Sequence, residues 1–291
     1  MKSADLHMHS TFSDGDWTPE KLVKSARRVG LTAIALTDHD SVDGLQQAVT
    51  FGQQHGLEVI PGVEISAFDG GVDLHILGYG FDPDHAELRA MLLRSQKART
   101  TRAARMVEKL AQLGAPLRLE DVLAKAEEGV VGRPHVAQAL LDAGHVRSVR
   151  EAFEVYLGDG KPACVDKIRV TAQDAIQLLH RAGGVAVAAH PGTYGGITYL
   201  ESLLQDGIDG VEVLHSLHDS ISVGKLEDFA RVHDLVMTGG SDFHGPRMGL
   251  AEVGSVKIPY EWVELLRERA QNLRERGNGR DHGGTIEANP R

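Results

Sequence analysis

Short apolar runs alternate along the chain with segments whose apolar positions recur every three or four residues. The runs are Ala4–His9, Leu31–Thr37, Leu57–Val63, Val72–Gly80, Gly184–Ala189, Ile208–Leu214 and Leu235–Gly239. Two of them, "LTAIALT" and "GVAVAAH", have no polar face, which predicts strands covered on both sides, as in a parallel sheet. The segments between them predict helices over Pro19–Val29, Val42–His55, Ala172–Ala182, Leu200–Gln205 and Val223–His233. In the first of these, Thr18 stands at the N-cap, Pro19 at the first helical position and Gly30 just past the end. Strands alternating with helices predict an α/β barrel or a doubly wound sheet.

From about residue 84 to residue 161 the pattern is helical throughout, with turns near Gly114, Gly132 and Gly144. This predicts a helical insertion (84–161) that divides an α/β body into residues 1–83 and 162–276. The insertion opens on "RAMLLRSQKARTTRAARMVEKL", in which Arg99, Arg102 and Arg105 recur every third residue and share a helix face. As a bare pattern, that stripe reads as a solvated face. Residues 277–291 are Gly-rich and polar and predict a disordered tail. The chain carries no internal repeat.

Composition narrows the class. The 291 residues, 42% hydrophobic and 25% charged, suffice for a sizeable core in an ordinary soluble protein. The N-terminus lacks a basic start followed by an apolar run, and no apolar stretch is long enough to cross a bilayer, so a cytoplasmic protein with no membrane contact is expected. The single cysteine, Cys164, excludes an internal disulfide and a thiolate zinc site. A formal charge of −10 argues against a protein that coats long duplex nucleic acid. It leaves room for a small phosphorylated ligand, because bound divalent ions reverse the local sign. Nothing implies an obligate protein partner.

The placement of the histidines carries the chemistry. In "DLHMHS", alternation in an extended segment puts Asp5, His7 and His9 on one face. At a rise of roughly 3.3 Å per residue the two imidazoles start about 7 Å apart, close enough to converge on one ion. A half-buried strand with two satisfied histidines would read the same way, so the pair needs partners. The other runs supply them. Asp14 follows in the next turn, the second run ends in Asp38 and His39, and the third ends in Glu64. The fourth carries His75, the fifth ends in His190, and the last ends in Asp242 and His244. Imidazoles and carboxylates thus gather where an α/β barrel builds its active site, at the C-terminal ends of its strands. Carboxylates packed so densely repel one another unless cations neutralise them. Nitrogen and oxygen donors without thiolate suit Mn²⁺, Zn²⁺, Fe²⁺ or Co²⁺.

The motifs "DLHMHSTFSDG", "ALTDHDSVDGL", "PGVEIS", "HILGYG", "AAHPG" and "GGSDFHG", in that order, resemble those of the PHP (polymerase and histidinol phosphatase) phosphoesterases over residues 4–255. The resemblance implies a distorted (β/α)7 barrel with three divalent ions at its rim, Mn²⁺ foremost and Zn²⁺ or Fe²⁺ as alternatives. It implies that His7, His9, Glu64 and Asp242 hold one ion. Glu64 then bridges to a second, completed by His75 and His190, while Asp14, His39 and His244 hold the third. The reaction implied is hydrolysis of phosphate esters.

Within the insertion, "GRPHVAQALLDAG" and "AFEVYLGDGKPACV" resemble a PHP branch of nucleoside 3′,5′-bisphosphate phosphatases and 5′→3′ exoribonucleases. The implied substrate is a small phosphorylated nucleotide or a short oligoribonucleotide, with the insertion folded over the barrel mouth. Arg133 and His135 become candidates for binding or protonating the phosphate, with Arg99 and Lys161 lining the pocket. Arginine suits this task because its planar fork matches phosphate oxygens. His218 either reaches the rim or caps a helix. Asp38 is a candidate catalytic group that could instead orient a ligand histidine, contact substrate or cap the next turn. Asp40, Ser41 and Asp43 read as helix-start residues. Two rival readings are a histidinol phosphate phosphatase and a metal-binding accessory module with little turnover.

Overall fold

The computed structural model describes residues 2–127, 129–166, 170–246 and 251–281, with only the backbone path given for 276–281. All seven apolar runs form strands: β1 (Ser3–Asp5), β2 (Ala33–Leu36), β3 (Glu58–Asp69), β4 (Val72–Tyr79), β6 (Val185–Ala188), β7 (Gly210–His215) and β8 (Val236–Gly240). They pair in the order β8-β7-β6-β4-β3-β2-β1. Bonds from Leu6 N to Gly239 O (3.1 Å) and from Asp242 N to His7 O (2.9 Å) join the two ends of that path and close the barrel. The approach is close at Gly240, where a Cβ would lie 2.3 Å from His7 N. Two short strands lie off the ring: β5 (Val170–Thr171) beside β3, and β9 (Ile258–Pro259) antiparallel to β1.

The distorted seven-stranded barrel is as expected, but the sheet is not all parallel. β4 runs antiparallel to both β3 and β6. The third run also continues past Glu64 to Asp69, making a hairpin with β4. Alternation carries no direction, so the apolar pattern could not reveal the reversal. Its consequence is useful: His75 lies in the first half of β4, opposite Ser66 of β3, and so reaches the same rim as the C-terminal ends of the parallel strands.

The barrel interior has two zones. Its lower part is apolar, with Leu6, Leu77, Tyr79 and Val187 packed against Val263, Leu266 and Ala270 of the C-terminal helix. Each such buried side chain contributes about 1.5–3 kcal/mol. Above them the interior turns polar, with His7, Glu212, Thr238 and Ser241 all buried.

Helices α1 (Pro19–Arg28), α2 (Leu45–His55), α7 (Ala172–Arg181), α8 (Ile197–Asp206) and α9 (Ser220–Val232) surround the barrel. α1 starts as its sequence predicts, with Thr18 Oγ1 accepting from Lys21 N. The insertion comprises α3 (Ala86–Gln112), α4 (Leu119–Ala126), α5 (Arg133–Asp142) and α6 (Val149–Ala152), which runs into a π-helical turn. α3 belongs to two cores. Leu88, Met91 and Leu92 join the barrel's outer core, whereas Ala103, Met106 and Leu110 join a separate one that reaches as far as Val165. The C-terminal helix, α10 (Tyr260–Asp281), carries regular structure into the segment expected to be a tail. The rest of that expected tail lies outside the described residues.

Candidate metal centre

The site begins where β1 ends. The ladder between β1 and β2 stops at Asp5, and with it the alternation that would have aligned Asp5 with the two histidines. Asp5 instead accepts from Ser241 N and Gly254 N, each at 2.9 Å. His7 and His9 face the rim. Their Nε2 atoms lie 3.4 Å and 3.2 Å from Glu64 Oε2, and the same distances from Asp242 Oδ1.

Glu64 sits at the centre, and its two oxygens face different groups. Oε2 meets His7, His9 and, at 3.0 Å, His39 Nδ1. Oε1 meets His75 Nδ1 at 2.7 Å and His190 Nε2 at 3.0 Å. Asp14 gathers the remaining pair: His244 Nε2 lies 3.3 Å from its Oδ1, and His39 Nε2 lies 3.9 Å from its Oδ2. Gly15 allows this turn, because a Cβ there would lie 2.3 Å from His9 O. All nine predicted ligands therefore meet at one rim, around a cavity of about 230 Å³ that His39, Glu64, His75, His190, Asp242 and His244 line with Thr193, His215 and Leu217.

Backbone strain concentrates here as well. Among the described residues, five non-glycine positions adopt positive φ, and three of them (Asp40, His190 and Asp242) lie at this rim. Such conformations persist only where the surroundings fix them.

The donor set fits divalent ions. His7 Nε2, His9 Nε2, Asp14 Oδ1, His39 Nδ1 and Glu64 Oε2 are buried and make no hydrogen bond, although each faces an opposite partner at short range. One such orphan costs about 1–3 kcal/mol, and a cluster is tolerable only if something else satisfies it. Three overlapping groups offer ligand atoms close enough to share an ion: His9 with Asp14, His39 and His244; His7 with His9 and Glu64; and His39 with Glu64 and His75. His7 also lies that close to His215 and Asp242.

Electrostatics point the same way. Burial alone would raise the Glu64 and Asp242 carboxyls, but the surrounding imidazoles hold both well below their usual range. Burial would likewise depress His7 and His244. Instead Glu212, Asp242 and Glu64 lift His7 well above its ordinary value, and Asp14 and Asp242 push His244 up to about 10.

Several candidates occupy other positions. Asp38 does not face the ligand cluster: its carboxylate accepts from Ser10 N (2.7 Å), Ser10 Oγ (2.6 Å) and Ser13 Oγ (2.6 Å). It braces the loop between His9 and Asp14, and Ser13 Oγ in turn lies 3.5 Å from His9 Nδ1. His218 has both ring nitrogens engaged, Nδ1 with Val213 O at 2.9 Å and Nε2 accepting from Gly192 N at 3.1 Å. It therefore buttresses the turn after His190, and the cap of α9 is Asp219. His135 Nδ1 accepts from Gly132 N at 2.9 Å, closing the first turn of α5. Arg133 pairs with exposed Asp159 at 2.6 Å. Lys161 lies exposed on the turn that follows the π-helical segment. Arg99 does reach the rim. Its Nε and Nη2 bond Asp40 and Ser66, and its Nη1 lies 3.6 Å from where a Cβ on Gly132 would stand. That same Cβ would lie 3.8 Å from Asp14 Oδ2, so the start of α5 borders the site.

Two residues at the rim escaped the sequence reading. Glu212, fully buried, holds His7 Nδ1 at 3.0 Å and accepts from His190 N at 2.7 Å. A carboxylate in the middle of the apolar run "GVEVLH" was the available signal. His215 ends the same run. Its Nδ1 accepts the Leu217 N–H at 3.1 Å, which leaves the ring proton on Nε2, 3.3 Å from Asp242 Oδ2. In that tautomer His215 donates to Asp242 and has no lone pair for an ion. Glu212→Gln should keep the shape but remove the charge behind His7. A loss of about 10- to 100-fold in metal affinity is expected, as for other carboxylates behind a ligand histidine. Titrating ion-free protein with Mn²⁺ measures it, and unchanged affinity would remove Glu212 from the centre.

The PHP domain family matches residues 5–159 of the chain. A 5′-3′ exoribonuclease of Haemophilus influenzae is 39% identical over 259 residues, covering 87% of this chain and 93% of its own. A 3′,5′-nucleoside bisphosphate phosphatase of Chromobacterium violaceum is 35% identical over 260 residues, covering 87% and 91%. Among solved structures, a Bifidobacterium adolescentis protein described as a metal-dependent phosphoesterase superposes with a TM-score of 0.87 at 34% identity, covering 92% of this chain and 96% of that one.

Proposed function

Because the chain belongs to the PHP-domain family of metal-dependent phosphoesterases, we propose that it hydrolyses phosphate esters of nucleotides. Its substrates on this reading are nucleoside 3′,5′-bisphosphates, cleaved to the 5′-monophosphate and phosphate, and short 5′-phosphorylated oligoribonucleotides, degraded 5′→3′. The two activities are those named for the relatives at 35% and 39% identity. The observation that carries the proposal is the complete donor cluster around Glu64, bordered by an insertion that brings Arg99 to the same rim.

On this reading His7, His9, Glu64 and Asp242 hold one ion, Glu64, His75 and His190 a second, and Asp14, His39 and His244 a third, with Mn²⁺ the proposed metal. Bound there, divalent ions neutralise phosphoryl oxygens and make water a competent nucleophile. The protein's own part is to hold the ligands in register. Glu212 fixes His7, His215 holds Asp242, and Asp38 with Ser13 fixes the loop below His9. Among the described residues, no helix is long and apolar enough to cross a membrane.

A second phosphate on the substrate needs a cation that the rim carboxylates cannot supply. Arg133 can provide one. Besides a long bond to Leu157 O (3.4 Å) and the Phe153 ring, it pairs with Asp159, which is 90% exposed; pairs of that kind are worth about 0–1 kcal/mol, so a phosphate can displace Asp159. Arg133→Ala should then leave metal content intact and lower kcat/KM on a 3′,5′-bisphosphate by about 10- to 150-fold relative to an aryl phosphate, for a lost charge-assisted contact of about 1.5–3 kcal/mol. An equal fall on both substrates would place Arg133 at the reacting phosphate, and no fall would take it out of substrate binding.

The test of the whole reading is a substrate panel with Mn²⁺. It sets adenosine 3′,5′-bisphosphate and 5′-phosphorylated oligoribonucleotides of graded length beside histidinol phosphate. Preference for histidinol phosphate, or no turnover at all, would overturn it.

A further inference from the structure

We infer that Arg99, brought to the rim by the first helix of the insertion, is a positioning residue for His39, acting through Asp40. The element that borders the substrate would then also set the geometry of an ion site. This inference rests on the metal reading given above.

Asp40 is not the helix-start residue its sequence suggests, since α2 begins only at Leu45. It follows His39 directly, is 1% exposed, and has a φ of 50°. A non-glycine residue stays in that left-handed conformation only when its surroundings hold it. Here the hold comes from two elements. From β3, Glu64 O accepts the Asp40 N–H at 2.9 Å and Ser66 N donates to Oδ1 at 3.0 Å. From α3, Gln96 Nε2 donates to the Asp40 carbonyl at 2.9 Å and Arg99 Nε donates to Oδ2 at 2.7 Å. Arg99 Nη2 also donates to Ser66 Oγ at 2.7 Å, so the guanidinium is locked on two edges.

Remove Arg99, and a buried carboxylate loses the guanidinium bonded to its Oδ2 while remaining next to His39. Removing one partner of a buried pair is strongly unfavourable, and the segment can relieve it only by moving. His39 has little tolerance for that. Its Nδ1 lies 3.0 Å from Glu64 Oε2, and its Nε2 faces Asp14 Oδ2. A guanidinium that only contacted substrate would behave differently: its loss would alter KM and leave the ions in place.

The experiment titrates ion-free protein with Mn²⁺ by calorimetry, with elemental analysis at saturation. Wild type is compared with Arg99→Met, Asp40→Asn, the double variant and Gln96→Ala. Arg99→Met and Asp40→Asn should each weaken one class of ion by about 10- to 100-fold and spare the rest, as carboxylates supporting ligand histidines do. The double variant should be no worse than either single one. Gln96→Ala, which keeps both charges, should weaken the same ion severalfold, and it decides the matter if the charge variants fail to fold. Wild-type titrations in Arg99→Met, or in Gln96→Ala should Arg99→Met not fold, would overturn the inference. Wild-type protein that takes up no Mn²⁺ would instead sink the metal reading itself.

Discussion

Glu64→Gln is expected to cost more activity than any other single substitution in the cluster. Its two carboxylate oxygens face five imidazoles: His7, His9 and His39 on one side, His75 and His190 on the other. Glutamine is nearly the same shape, so the barrel has no reason to unfold. What it removes is one negative charge and one oxygen, replaced by an NH2 group that can only donate. Whichever way the amide points, one of the two groups of histidines loses its shared acceptor. On the His75 and His190 side an ion would be left with neutral ligands alone, and on the His7 and His9 side Asp242 would be its one remaining carboxylate. If the ions contribute several kcal/mol of charge stabilisation, about 4 kcal/mol of it should vanish, a fall on the order of 10³-fold in kcat/KM. The same protein should carry at least about one ion fewer at saturation. Near wild-type activity, or an unchanged ion count, would remove Glu64 from its bridging position.

Glu212→Gln should behave differently from Glu64→Gln. Both are fully buried carboxylates in contact with His7. Glu64 faces the Nε2 atoms that have no hydrogen bond, whereas Glu212 holds the opposite nitrogen of a single ring. The first is placed to touch ions and the second only to aim a ligand. Their losses should therefore differ by roughly a factor of ten or more.

How much of this could be read in advance depended on how far apart the interacting residues lie in the chain. The strands were legible because each is a local apolar run, and their number was enough to suggest the barrel. The direction of β4 was not, since Val72–Tyr79 alternates identically in either sense. The nine donors were legible because each follows or interrupts such a run. Glu212 was harder to place, as its bond to His7 spans 205 positions and leaves no trace around either residue. Asp38 and His218 show the reverse case. Both stand where rim residues stand, but their side chains turn to Ser10 and Ser13, and to Val213 and Gly192. Asp5 failed because alternation holds only while a ladder lasts, and the β1 ladder ends at Asp5 itself. Asp40 needed the insertion in place: nothing near "TDHD" announces a partner 59 residues away on α3.

Stripping the ions should abolish turnover, and reloading should become easier as the pH rises. Without ions, the cluster compensates its buried carboxylates with protons on imidazoles, beside the Arg99 guanidinium at the rim. That is the state in which Asp14 and Asp242 lift His244 to about 10, against the opposing effect of burial, and in which His7 is lifted well above its usual value. A histidine raised in this way is protonated at neutral pH, and a protonated nitrogen cannot ligate. Each ion must therefore expel protons as it enters, and lowering the pH favours the competitor. Affinity for Mn²⁺ should rise with pH across the neutral range. Calorimetric titrations at one pH, in two buffers of different ionisation enthalpy, should differ by the heat of the released protons. Elemental analysis of reloaded protein should find about three ions, one for each donor set assigned above. Protein that remains active after exhaustive chelation with less than about one ion per chain would sink the metal-dependent mechanism. Titrations that do not depend on the buffer would show instead that the imidazoles are already neutral and that the ion-free cluster is compensated in some other way.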